Sequence, residues 1–173
     1  AITSDQHDQR STVSAVRRRL PWLLVCLAGT LVSGVVIQLF SESAQLKTIW
    51  VLLTVFMPAI MAMGGNSGIQ TSTVTVRGLA TGDLMAGQLL AALARELRVA
   101  LGLGVLLGLL VLAVAYAWTS DPVVSGSVSL AMLCAVVLSA GLGALTPLLF
   151  RAVGIDPAVA SGPLITTLND VLS

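Results

Sequence analysis

The feature that most limits what this chain can fold into is an apolar run that breaks abruptly into polar residues. Ile49 to Met63 is dominated by Val, Leu, Ile, Met and Ala. It is followed at once by Gly64-Gly65-Asn66-Ser67-Gly68-Ile69-Gln70-Thr71-Ser72-Thr73. The run is long enough to carry the chain deep into a bilayer, where unpaired amide and hydroxyl groups are costly. Polar side chains packed this densely must therefore face other helices or water. The glycines let a second backbone, or an ion, come close. A membrane helix bundle built around this segment satisfies both demands.

Composition agrees. Hydrophobic residues make up 56% of the chain and charged residues 10%, against about 25% charged in soluble domains. The mean hydropathy is +0.97. At 173 residues the chain suits one domain of four to six spanning helices. A net charge of +1 gives no reason to expect nucleic-acid binding. Cys26 and Cys134 lie inside apolar runs and read as packed thiols, not as a disulfide or a metal pair. His7 stands alone in a polar tail. No nucleophile–histidine pair, phosphate loop or metalloprotease signature occurs, so the chain is not expected to be an enzyme.

Taken in order, residues 1–19 are polar and end in Arg17-Arg18-Arg19, a juxtamembrane signature. Residues 11–19 read as a short interfacial helix. No small-residue cleavage site follows, which argues against a signal peptide. Span one is Leu20–Phe40, with Pro21 in its first turn. Span two runs from about Thr48 to Val76, with a kink expected at Pro58. Leu84–Leu97 carries leucines at helical spacing. It reads as an amphipathic helix that lies on the cytoplasmic surface or leads into span three. Span three is Val99–Trp118, followed by a loop over Thr119–Ser127. Span four is Val128–Phe150, with a break expected at Pro147. Span five begins at Asp156-Pro157, a helix-start pair. From there to Ser173 is about 25 Å of helix, slightly short of a full crossing, so the last helix reads as truncated. The expected fold is all-α, with five transmembrane helices.

Charge placement orients this topology. Arg10, Arg17, Arg18, Arg19, Arg77, Arg95, Arg98 and Arg151 fall on one side and Lys47 on the other. By the positive-inside rule the N-terminus is cytoplasmic and, after five spans, the C-terminus lies outside.

Two groups of residues carry possible chemistry. Asp170 lies about 21 Å into span five, and an intramembrane carboxylate is a functional candidate by default. Thr166 sits one turn earlier, on the same helix face. The bland alternative is an aspartate solvated near the outer interface. The second group is Asn66, Gln70, Thr71 and Thr73, with Asn66 and Gln70 at i,i+4. They are either polar glue between helices or the wall of an oxygen-lined path. Together the groups offer carboxylate, amide and hydroxyl oxygens, which suit hard cations such as Mg²⁺, Ca²⁺ or Mn²⁺. One carboxylate per chain is too few for a dry cage, but Mg²⁺ keeps most of its waters. A symmetric dimer would bring two copies of Asp170 together.

These residues resemble the transmembrane domain of the MgtE family of magnesium channels. The likeness rests on Pro58…Met63-Gly64-Gly65-Asn66-Ser67-Gly68-Ile69-Gln70, on Thr75-Val76-Arg77-Gly78-Leu79-Ala80, and on Asp156-Pro157-Ala158…Ser161-Gly162-Pro163…Thr166-Thr167…Asp170. It covers nearly all of the chain from residue 20. The resemblance implies a homodimer in the bacterial cell membrane with one pore on its two-fold axis, lined by spans two and five. Asp170 would bind hydrated Mg²⁺, with Thr166 in the same site. The lining residues would be Gly64, Gly65, Asn66 and Gln70 from span two, and Gly162 and Asn169 from span five. Residues 1–19 would be the connecting segment and 20–173 the pore domain. The family's cytoplasmic sensor domains have no counterpart in this sequence. The implied activity is inward conduction of Mg²⁺, both transported ion and pore ligand. A Na⁺- or H⁺-coupled exchanger of Mg²⁺ or another divalent cation is the alternative, and a non-transporting scaffold the third reading.

Overall fold

A computed structural model describes residues 12–41, 47–82 and 89–156, together with Ile165 and Asn169. Among the described residues the chain is helical and contains no strand. Four helices are complete: α1 Thr12–Ser41, α2 Lys47–Thr81, α3 Leu89–Thr119 and α4 Pro122–Ala152. Three of them are long and apolar enough to cross a membrane, over Val51–Thr81, Leu90–Thr119 and Pro122–Ala152. In α1 a further apolar helical stretch covers Leu27–Leu39.

Several boundaries differ from the sequence reading. The expected interfacial helix over 11–19 is not separate, because α1 runs unbroken from Thr12 through Pro21. A proline removes only one backbone hydrogen bond, and the flanking turns of a long helix can carry that loss. The expected amphipathic helix leads directly into span three, since Leu89–Thr119 is one helix. Its Arg95–Glu96 pair does not interrupt the backbone; the two side chains meet at 3.0 Å on the surface. Pro58 and Pro147 lie inside continuous helices α2 and α4, so the break expected at Pro147 does not occur.

The loop expected over Thr119–Ser127 shrinks to Ser120 and Asp121. Asp121 caps α4, accepting from the amides of Val123 (2.7 Å) and Val124 (3.2 Å), and Pro122 opens the first turn. This is the same Asp-Pro start pair read at 156–157, here used one span earlier. Ser120 takes a positive φ of 52° to make the reversal. So short a link forces α3 and α4 to lie side by side and antiparallel.

Helix α4 is the centre of the bundle, packed against α2 on one side and α3 on the other, while α2 and α3 barely meet. The core cluster joins Phe56 and Ile60 of α2, Val111 and Ala115 of α3, and Val124, Val128, Met132, Ala135 and Val136 of α4. Phe56 also meets Trp118 with ring centroids 5.8 Å apart. Leucines and valines such as Leu106, Leu110, Leu130 and Leu138 point outward. Lipid tails are as apolar as leucine, so close packing, not escape from water, must hold such helices together. Small residues serve that end. A Cβ on Gly104 would lie 3.3 Å from the Leu133 carbonyl oxygen, and one on Gly108 3.2 Å from that of Ser129. Cys134 is exposed on the outer face of α4, not packed as expected.

Candidate functional site

The polar segment of α2 divides into two faces. Ser67, Gly68, Thr71, Ser72 and Thr75 are buried. Ser67 Oγ donates to the Val136 carbonyl of α4 at 3.1 Å, a bond between helices inside the bundle. Thr75 Oγ1 bonds back to the Thr71 carbonyl at 2.9 Å. This half of the segment is polar glue, one of the two readings drawn from the sequence.

At Gly68 the two helices touch backbone to backbone. A Cβ on Gly143 would run into the Gly68 carbonyl oxygen and lie 3.0 Å from its carbon. A Cβ on Gly68 would lie 2.5 Å from Ser139 Oγ and 2.8 Å from Ile165 Cγ2. At Gly143 a Cβ would meet the backbone of the facing helix, and at Gly68 it would meet side chains first. Pro147, four residues after Gly143, lacks the amide that would bond the Gly143 carbonyl. Among the described residues, the buried hydroxyls of Ser72 and Ser139 have no hydrogen-bond partner.

The opposite face of α2 is uncovered. Asn66, Gln70, Thr73 and Arg77 are all exposed. Their spacing of i, i+4, i+7 and i+11 makes one stripe along the helix. Thr73 quiets its own hydroxyl on the Ile69 carbonyl at 2.8 Å. Asn66 and Gln70 sit well inside the span Val51–Thr81, where bare amides facing lipid would be costly.

Two residues show where the last segment runs. Ile165 and Asn169 are helical and buried. Ile165 lies against Gly68, and Asn169 against Gly65 and Met61, its Nδ2 donating to the Met61 carbonyl at 3.0 Å. From Ile165 to Asn169 the numbers rise as those of their α2 partners fall from Gly68 to Gly65 and Met61. The bond joins positions 108 residues apart in the chain.

The structure thus brings Gly65 and Asn169 together, buries Gly64, and leaves Asn66 and Gln70 on the uncovered flank of α2. Asp170, Thr166 and Gly162 lie outside the described residues. Among the described residues no three His, Cys, Asp or Glu side chains converge to hold a metal. Sequence reasoning missed Ser139 and Gly143 as partners of the polar segment. Their signal was the small-residue run Ser139-Ala140-Gly141-Leu142-Gly143-Ala144 in an otherwise bulky apolar helix.

Comparison with known proteins adds the following. The family model MgtE, described as a divalent cation transporter, matches residues 57–173, more than half of the chain. A protein of Bacillus subtilis named magnesium transporter MgtE is 34% identical over 166 residues, 96% of this chain and 36% of its own length. Proteins of the same name from Thermus thermophilus and Enterococcus faecalis are 32% and 34% identical, covering 88% and 93% of this chain and 33% and 35% of their own lengths. The chain spans about a third of the curated relatives it matches.

Proposed function

Since the chain belongs to the MgtE family of divalent cation transporters, we propose that two copies of it form a channel that conducts Mg²⁺ into the cytoplasm. The relatives' name supplies the ion. The observation that carries the reading is the uncovered stripe of Asn66, Gln70 and Thr73 on an apolar spanning helix. In a membrane such a stripe needs water or a protein partner, and a water-filled path between two copies provides both.

In this reading the path follows the two-fold axis. Residues 20–173 form the pore domain and 1–19 the connecting segment. Asn66 and Gln70 of α2 border the path with Gly162 of the last segment, while Gly64, Gly65 and Asn169, set in the same lining by the family resemblance, back it from inside the bundle. Asp170 and Thr166 hold the hydrated ion. Paired carboxylates, one from each copy, suit a cation that keeps its water shell. The N-terminal side lies in the cytoplasm, where the arginines gather, and the host bilayer is the cell membrane. A 2+ ion moving inward through 100 mV gains roughly 4.6 kcal/mol, so no coupled ion is required. Mg²⁺ is the preferred cargo, with Ca²⁺ and Mn²⁺ as competitors.

The test is Mg²⁺ uptake into liposomes carrying the intact protein. Uptake driven by a K⁺ diffusion potential alone, and lost in Asp170→Ala, is the expected result. Undiminished uptake in that variant removes Asp170 from the site. Dependence on a Na⁺ or H⁺ gradient would make the protein an exchanger.

A further inference from the structure

We propose that Arg77 biases the direction of flow: its guanidinium, at the cytoplasmic end of the exposed polar stripe of α2, repels cations that would enter the path from inside. The inference rests on the reading of that stripe as the border of a water-filled path.

Asn66, Gln70, Thr73 and Arg77 are all exposed on one continuous helix. At about 100° per residue, Arg77 falls only about 20° around the helix from Asn66 and about 16 Å further along. Thr73 lies about 6 Å before it along the axis and Gln70 about 10 Å. Two other arginines are engaged: Arg95 pairs with Glu96 at 3.0 Å, and Arg98 Nε donates to the Ala94 carbonyl at 3.2 Å. Among the described residues no carboxylate pairs with Arg77. An uncompensated positive charge therefore ends a row of neutral polar side chains.

The ordinary task of an arginine near the end of a spanning helix is to anchor it among lipid headgroups. Its height argues against that for Arg77. Gly68 of α2 lies against Gly143 of α4, and Leu97 of α3 against Gly141. The three helices are therefore level there to within about 3 Å, and Arg95 and Arg98 flank Leu97 at that height. Arg77 is nine residues past Gly68, about 13 Å further toward the cytoplasm. The headgroup layer adds only about 5–8 Å to each face of the hydrocarbon core. Arg95 and Arg98 suit the headgroups, and Arg77 stands beyond them in the inner mouth. In water, a 2+ ion about 6 Å from one unit charge is disfavoured roughly tenfold before screening. With a screening length of about 8 Å at physiological salt, the repulsion reaches an ion beside Thr73 and fades by Gln70. It lowers the cation concentration at the inner mouth, from which outward flux draws. Inward flux draws on the outer mouth and is spared.

The experiment records Mg²⁺ currents in inside-out patches from giant spheroplasts producing the intact protein, with equal Mg²⁺ on both sides. The readout is the ratio of inward to outward current at equal and opposite voltages. Arg77→Gln should raise outward current roughly threefold to tenfold and leave inward current within about twofold. Arg77→Glu should raise it further, and Arg77→Lys should match the parent. An impermeant salt at about 1 M, with a screening length near 3 Å, should bring parent and Arg77→Gln together. An anchoring role changes the number of working channels, which scales both directions alike without salt dependence. That result would overturn the proposal, as would a parental ratio in both Gln and Glu variants. Gln70→Leu is measured alongside. If it conducts like the parent, the reading of the stripe fails; if it is silent while Arg77→Gln keeps the parental ratio, only the role of Arg77 fails. Absence of Mg²⁺ current in the parent overturns both.

Discussion

The Gly68–Gly143 crossing gives the sharpest stability prediction. In Gly143→Ala the new methyl meets backbone on the facing helix, 3.0 Å from the Gly68 carbonyl carbon and 3.1 Å from its Cα, with the carbonyl oxygen closer still. Non-bonded carbons prefer about 3.5–4.0 Å, so α2 and α4 must part by roughly 1 Å. No rotamer change relieves this, because nothing on Gly68 can turn aside. Overpacking of this kind costs about 1–3 kcal/mol. The nearby Ser67–Val136 hydrogen bond, at 3.1 Å, would stretch and forfeit up to about 1 kcal/mol more. Against this, alanine improves helix propensity by about 1 kcal/mol. The net expectation is a loss of roughly 1–3 kcal/mol. Gly102→Ala makes the same chemical change on α3, where a Cβ meets nothing within 4 Å. It should keep the propensity gain alone, up to about 1 kcal/mol of stabilisation. Reversible unfolding in mixed detergent micelles, titrated with SDS, measures both. If Gly143→Ala is as stable as Gly102→Ala, the helices do not cross as described.

Other expectations use the same assay or the uptake assay. Gly68→Ala should cost less than Gly143→Ala. Its two nearest neighbours are side-chain atoms, Ser139 Oγ and Ile165 Cγ2, which can shift, and the nearest backbone atom, the Ser139 carbonyl oxygen, is 3.1 Å away, farther than the Gly68 carbonyl from a Cβ on Gly143. Asp121→Ala strips the cap from two amides of α4 and should lose about 1 kcal/mol in the SDS titration. Asn66→Leu and Gln70→Leu, on the uncovered face of α2, should unfold like the parent within about 0.5 kcal/mol. In liposomes the same two variants should take up little Mg²⁺; parental uptake would remove the stripe from the path.

The helical class and the places of spans two to four were legible in the sequence because lipid imposes a simple requirement: long apolar runs with every backbone group satisfied. Boundaries were harder. A proline's missing amide suggested a helix start at Pro21 and a break at Pro147, yet both lie inside helices long enough to absorb the loss. The reverse error occurred at Asp121-Pro122. There a start pair was read as part of the loop over Thr119–Ser127, although Asp121 caps α4 and Pro122 opens its first turn. The polar segment of α2 was legible in content but not in arrangement. Helical spacing put Asn66 and Gln70 on one face. It could not say that Ser67, Gly68 and Ser72 on the other face were already taken up by α4, which contributes Ser139 and Gly143 from some 70 residues further on. Such pairings depend on which helices become neighbours, a property of the whole bundle. Likewise nothing in the local sequence paired Asn169 with the backbone of Met61.

The central claim is that the Asn66–Gln70 flank of α2 borders water inside the membrane. Single cysteines placed there, Asn66→Cys and Gln70→Cys, with Cys26 and Cys134 replaced by alanine, test it directly in liposomes. The account predicts rapid labelling by a charged, membrane-impermeant thiosulfonate, slowed by millimolar Mg²⁺. Thiols inert to that reagent but open to a lipid-soluble maleimide would place the flank in hydrocarbon and contradict the account.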